Sequence, residues 1–226
     1  MIDHILVGAI ATNCWILPVS VPGEPELGKT EPQEGIVIDP GADAPAIIAR
    51  LRRLHLRPRY IILTHGHFDH IAALPDLIQA FEESGPPEIA IHRDDKNYLG
   101  PNAYEIHQQS FAVAGGADYV DALWQDLPAP TRLLSEGDTI GPFKVLHLPG
   151  HSPGSAGFLL EREKILFSGD TLFKAGIGRT DLPGGDWQVL QKSLDRLLAL
   201  DQAITVYPGH GPLTSIGEEQ AREGWF

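Results

Sequence analysis

The chain of 226 residues contains a single cysteine. With only Cys14 present, an intrachain disulfide is excluded, and so is a metal cluster built on several thiolates. Its apolar setting, Asn13-Cys14-Trp15-Ile16-Leu17, predicts a buried structural thiol rather than a nucleophile. Long hydrophobic runs are also missing, and no stretch approaches the ~20 apolar residues of a membrane span. The start, Met1-Ile2-Asp3-His4, has no basic region ahead of apolar residues and does not resemble a secretory leader. Positive charge is scarce: 17 Lys and Arg stand against 30 Asp and Glu, for a formal net charge of −13. That balance disfavours a broad footprint on nucleic acid or anionic membrane. The expectation is a cytoplasmic protein with neither as a partner; the oligomeric state is left open.

What the chain does hold is an unusual concentration of histidine. Thr64-His65-Gly66-His67-Phe68-Asp69-His70 follows the apolar run Tyr60-Ile61-Ile62-Leu63, which reads as a buried strand. His65 and His67 are two apart and project to one side of extended backbone. Asp69 and His70 follow as the chain turns toward the next helix, and Gly66 permits a close approach in that turn. A polar surface loop would explain any one of these residues, but four metal-competent side chains within six positions point to a metal site.

The remaining periodicity predicts strands at 2–7, 13–17, 35–39, 88–92, 131–134, 143–148, 155–160, 164–168 and 203–207. Helical spacing appears at 44–54, 71–81 and 187–198, with further helices at 103–114 and from 216 onward. The Pro-, Gly- and Glu-rich stretch 21–34 reads as an exposed excursion. With 42% hydrophobic and 21% charged residues and no internal linker, one α/β domain over 1–226 is expected.

Three further candidate ligands sit where strands give way to turns: His151 in Pro149-Gly150-His151-Ser152, Asp170 in Ser168-Gly169-Asp170-Thr171, and His210 in Tyr207-Pro208-Gly209-His210. A lone loop histidine carries little weight, but these three together with the first cluster make a strong signal. Two divalent ions roughly 3.5–4 Å apart need about four ligands each, with room for a water or hydroxide. A simple division gives His65, His67 and His151 to one ion and Asp69, His70 and His210 to the other. Asp170 can bridge, because a carboxylate has two oxygens. The shared hydroxide is then the nucleophile, Asp69 can orient it, and no serine or cysteine is needed. Ligation without cysteine suits zinc first, with iron or manganese as alternatives. Thr171 is expected to steady Asp170.

The pattern His-x-His-x-Asp-His, followed by a separate His, Asp and His, resembles the metallo-β-lactamase superfamily. The segments 170–181 and Tyr207-Pro208-Gly209-His210-Gly211-Pro212 look like those of its glyoxalase II-like hydrolases. The resemblance implies a four-layer αββα sandwich with a dinuclear site at one edge, and hydrolysis of a small-molecule thioester such as S-lactoylglutathione. Glutathione-thioester hydrolases carry a basic residue nine positions after the bridging Asp, here Arg179. The tyrosines expected two residues after it and two after the last metal histidine are Asp181 and Pro212 here. The chain ends sixteen residues after His210, so the helical glutathione-binding domain of those enzymes is expected to be absent. Arg179 is a candidate donor to a substrate carboxylate or a structural partner of Asp181 or Asp186; Lys174 is a second candidate. Tyr98 and Tyr104 either line a substrate pocket or simply pack. The alternatives on the same residues are a mononuclear iron persulfide dioxygenase, a lactone or β-lactam hydrolase, and a metal-stapled binding module without catalysis.

Overall fold

The computed structural model describes residues 2–19 and 32–222. Its first sheet contains β1 (Asp3–Val7), β2 (Thr12–Pro18), β3 (Gln33–Ile38), β4 (Leu56–Ile62), β5 (Glu88–His92) and β6 (Arg132–Leu134), in that spatial order. The first three strands pair antiparallel and the last three join in parallel. The parallel crossovers are made by helices α1 (Ala44–Arg53), α2 (Leu74–Phe81), α3 (Tyr104–Val113) and α4 (Ala117–Leu123).

The second sheet also has six strands. Its members are β7 (Thr139–Ile140), β8 (Phe143–His147), β9 (Ala156–Leu160), β10 (Ile165–Gly169), β13 (Thr205–Pro208) and β14 (Thr214–Ser215). The small hairpin of β11 (Leu172–Phe173) and β12 (Gly176–Ile177) follows β10. Helices α5 (Trp187–Leu198) and α6 (Ile216–Gln220) cover this sheet's outer face.

Strand alternation explains the four layers. Cys14, Ile16, Val37, Ile61, Ile89 and Ile91 point toward α1 and α2, while Trp15, Ile36, Ile38, Ile62 and Ala90 point to the second sheet. The second sheet alternates likewise: Val145, Phe158 and Phe167 fill the space between the sheets, and Leu146, Leu159 and Leu166 meet Leu190, Leu194 and Leu197 of α5. The central strands are apolar on both faces because the middle of each sheet is covered on both faces, while the outer strands β1, β6 and β7 keep exposed positions. This is the αββα sandwich that the resemblance implies, and Cys14 lies fully buried within it.

The structure differs from the sequence reading at several boundaries. β4 starts at Leu56 instead of 60, with Pro58 in a stretch that β5 does not reach, where its missing N–H costs no ladder bond on that side. The helix expected over 103–114 is present as α3, closed by Gly115 at φ 74, and α4 follows it as a helix the sequence periodicity did not predict. The excursion expected at 21–34 lies outside the described residues up to position 31, and Gln33 and Glu34 already belong to β3.

Candidate metal centre

Topology delivers the candidate ligands to one edge. β3 and β4 are parallel, so the segments that follow them, Asp39 and Thr64 to His70, leave from the same end. β8, β10 and β13 share one direction, which brings the loops holding His151, Asp170 and His210 together at an end of the second sheet. The two sheets are tied there by Asn13 N donating to Gly209 O at 2.7 Å and Ala156 N to Thr64 O at 2.8 Å. Trp15 Nε1 donates to Pro208 O at 3.2 Å.

All seven side chains proposed from the sequence meet at this edge. His65, His67 and His151 form one group and Asp69, His70 and His210 another, each with ligand atoms within 4.8 Å of one another. Asp170 stands between them: its Oδ1 is 3.5 Å from His70 Nε2, and its Oδ2 is 3.5 Å from His210 Nε2 and 3.7 Å from His151 Nε2. Asp69 Oδ2 lies 3.2 Å from both His70 Nε2 and His210 Nε2, and accepts from Thr12 Oγ1 at 3.2 Å.

The surrounding hydrogen bonds determine which ring nitrogens are free. His151 Nδ1 donates to the Arg179 carbonyl at 2.8 Å. Thr64 Oγ1 donates to Asp39 Oδ2 at 2.7 Å, so it accepts from His65 Nδ1 at 3.1 Å. Both histidines therefore keep a bare Nε2 lone pair, and those two atoms face each other at 3.3 Å. His70 Nδ1 donates to Asp39 Oδ2 at 3.0 Å, and its Nε2 faces His210 Nε2 at 3.3 Å. Asp170 Oδ1 is buried with no hydrogen-bond partner among the described residues. Lone pairs converging on one another and an orphaned carboxylate oxygen are what a divalent cation satisfies, so the donor set fits a metal.

The electrostatics agree. Burial, with the charge of His70 next, pushes His65 well below the usual histidine range, and burial with His151 takes His67 down to about 3. Burial would also raise Asp170, but His70, His210 and His151 outweigh it and hold the carboxyl at about 2. Asp69 is likewise held low by His70 and His210 against burial. His70 is burdened by burial, yet Asp69, Asp170 and Asp39 raise it well above its ordinary value. Ionised Asp69 and Asp170 with neutral His65 and His67 match the protonation that metal binding requires, while His70 and His210 are raised by the buried carboxylates beside them, the charge a bound cation would replace.

Two glycines permit the close packing. A Cβ on Gly66 would fall 2.4 Å from the Tyr98 ring, and one on Gly209 would fall 2.2 Å from Asp170 Oδ1. Tyr98 thus packs behind the histidine loop, whereas Tyr104 is at the surface, bonded to Asp121.

Several functional contacts escaped the sequence reading. Asp39, within a turn, braces Thr64 and His70. Asp95 is fully buried and accepts from Gly66 N at 2.9 Å, Ser152 Oγ at 2.6 Å and Gly154 N at 2.6 Å. It joins the first histidine loop to the His151 loop. Both aspartates sit just past a strand end, the one sequence signal they share with the ligands. The expected role of Thr171 is corrected: its hydroxyl is buried with no hydrogen-bond partner among the described residues, and the threonines that bond ligands are Thr64, on His65, and Thr12, on Asp69. His92, Asp94 and His147 also cluster, but the two rings stack 3.9 Å apart at 12°, with lone pairs running alongside each other instead of converging.

Beside the seven residues opens a cleft of about 350 Å³. Ile10, Phe111, Phe173, Ile177 and Leu182 contribute its apolar wall and Arg179 its rim. Of the candidates for a substrate carboxylate, Arg179 forms a two-pronged pair with Asp181, and Lys174 lies 3.7 Å from Glu218.

Residues 30–210 match the model of the Metallo-beta-lactamase superfamily. The chain belongs to this superfamily. It is 36% identical to the hydroxyacylglutathione hydrolase GloC of Haemophilus influenzae, over 97% of this chain and 94% of that protein. Among solved structures, TTHA1623 in a di-iron-bound form has a TM-score of 0.78 at 34% identity, covering 97% of both chains. The B3 metallo-beta-lactamase BLEG-1 has a TM-score of 0.79 at 36% identity, covering 98% of this chain and 97% of that one. Metallo-hydrolases characterise the superfamily, and the His/Asp clusters here suit its divalent metal site. No helix among the described residues is long and apolar enough to cross a membrane.

Proposed function

We propose that this metallo-β-lactamase-fold protein is a thioester hydrolase of the glyoxalase II-like type, acting on a small-molecule thioester in the cytoplasm. The observation that carries the reading is the full set of seven donors, in two groups with Asp170 between them, opening on a cleft. The likeness to GloC supports the thioester class.

In this reading His65, His67 and His151 hold one divalent ion and Asp69, His70 and His210 a second, with Asp170 shared. Zinc is the first candidate; iron gains support from the di-iron relative, and manganese suits the same donors. Bound divalent ions would supply a hydroxide at neutral pH and Lewis-acid stabilisation of a developing oxyanion. The residues themselves do the rest. Asp69, anchored by Thr12, orients the attacking water. The carbonyl of Arg179 fixes the tautomer of His151, and Asp39 fixes that of His70. A thiolate leaving group, from a thiol of pKa ~8.5, needs no strong general acid, and the cluster offers none beyond its ligands.

β-Lactam hydrolysis is the second reading, favoured by the likeness to BLEG-1. A mononuclear persulfide dioxygenase is less well supported, because His210 and Asp69 complete a second donor group. The test is turnover of S-lactoylglutathione, simple acyl thioesters and a β-lactam by protein purified with its metals, beside a chelator-stripped control and Asp170→Ala. Thioester cleavage lost on stripping and in Asp170→Ala supports the proposal. Fully metallated protein inert toward every thioester would overturn it.

A further inference from the structure

Resting on the thioester reading above, we propose that the site prefers thioesters with an apolar acyl group on an uncharged thiol over the anionic glutathione esters, and that Asp181 is the residue that sets this preference. Three observations meet here. The cleft wall is built from Ile10, Phe111, Phe173, Ile177 and Leu182, which offer contact area to hydrocarbon and no hydrogen bond from their side chains. Arg179 is the one Lys or Arg among the described residues lining it. And that guanidinium is already spoken for: Nε donates to Asp181 Oδ1 and an Nη to Asp181 Oδ2, both at 2.7 Å. This is the fork that a substrate carboxylate would otherwise occupy.

Asp181 stays ionised throughout the neutral range, because Arg179 holds its carboxyl down to about 2. An anionic substrate must therefore displace one carboxylate from Arg179 and then bind beside it. The other basic candidate from the sequence, Lys174, faces Glu218 and does not line the cleft. A net charge of −13 adds a long-range penalty for anions approaching the chain. Ile10, half exposed at the cleft, extends the apolar surface outward, where the non-reacting part of a substrate would lie.

The Arg179–Asp181 pair is exposed, so its hold on the guanidinium is modest: competition of this kind is worth up to ~5-fold in binding. Burial of hydrocarbon is the larger effect, at ~3-fold or more per methylene that enters the cleft. Asp181 is thus a specificity residue and not a catalytic one, and its removal should act through KM.

The experiment measures kcat and KM of the metallated full chain, and of Asp181→Asn, on lactoyl and hexanoyl thioesters of glutathione and of N-acetylcysteamine. The expected result is hexanoyl above lactoyl on either thiol, and N-acetylcysteamine above glutathione. Asp181→Asn should raise the glutathione to N-acetylcysteamine ratio of kcat/KM by ~2–5-fold, mainly through a lower KM for the glutathione esters. Preference for S-lactoylglutathione, or an unmoved ratio in the variant, would overturn this inference while leaving thioester hydrolysis standing. Failure to cleave any of the four esters would instead sink the thioester reading and this inference with it.

Discussion

Asp39 Oδ2 lies 3.0 Å from His70 Nδ1, so a buried carboxylate from the end of the first sheet's third strand orients an imidazole in the histidine loop. Asp39 accepts the Thr64 amide and hydroxyl as well, at 2.8 and 2.7 Å, and adopts φ 53 to do so. Left-handed backbone is uncommon in a residue with a side chain, and here three hydrogen bonds hold it.

Asp39→Ala should therefore weaken metal retention by ~10–100-fold, the usual consequence of removing the partner that orients a ligating histidine. Asp39→Asn, which keeps one acceptor, should fall between wild type and Ala. Metal content after dialysis against a graded chelator series would measure this; retention equal to wild type in Asp39→Ala would refute the role.

Asp95 makes a second test. It receives three donors from the two loops that bring His65, His67 and His151 together, and burial pushes its carboxyl up while those donors hold it down. Replacement by Ala strands Gly66 N and Gly154 N and leaves Ser152 Oγ with Ser155 Oγ alone, and should cost about 2–4 kcal/mol in urea unfolding. Ser152→Ala removes one of the three bonds and should cost about 1 kcal/mol. Loss of metal from the His65, His67 and His151 group should precede loss from the other in Asp95→Ala.

His107, outside the ligand set but packed on Phe68 of the histidine loop, predicts a pH dependence of its own. It is fully buried in the outer core beside Phe68, its Nε2 donates to Tyr98 O at 2.8 Å, and burial lowers its pKa to about 4. The unfolded chain binds this proton below pH ~6.5 while the folded one does not, so stability falls as pH drops from ~6.5 toward 4. The ceiling on this single contribution is about 3 kcal/mol. Unfolding of metal-free wild type and His107→Gln at pH 7 and 4.5 would show it as a smaller acid loss in the variant.

The candidate ligands were legible in the sequence because metal chemistry restricts the residue types, and His65, His67, Asp69 and His70 are adjacent in the chain. Many strands and helices were legible as well, from apolar runs such as Tyr60-Ile61-Ile62-Leu63, but their stacking into four layers followed only from the family resemblance. What only the tertiary structure decided is everything set by contacts across long sequence separations. Asp39 and Asp95 look like ordinary turn and surface acids until Thr64, His70, Gly66 and Gly154 are brought against them. Thr171 has the right neighbour in the chain but the wrong environment, while Thr64 faces Asp39. Arg179 had two possible partners in the sequence and a substrate besides; its pairing with Asp181 became visible only once the turn after the small hairpin set the two side chains in register. A donor's identity is local, but its partner depends on where folding places the rest of the chain.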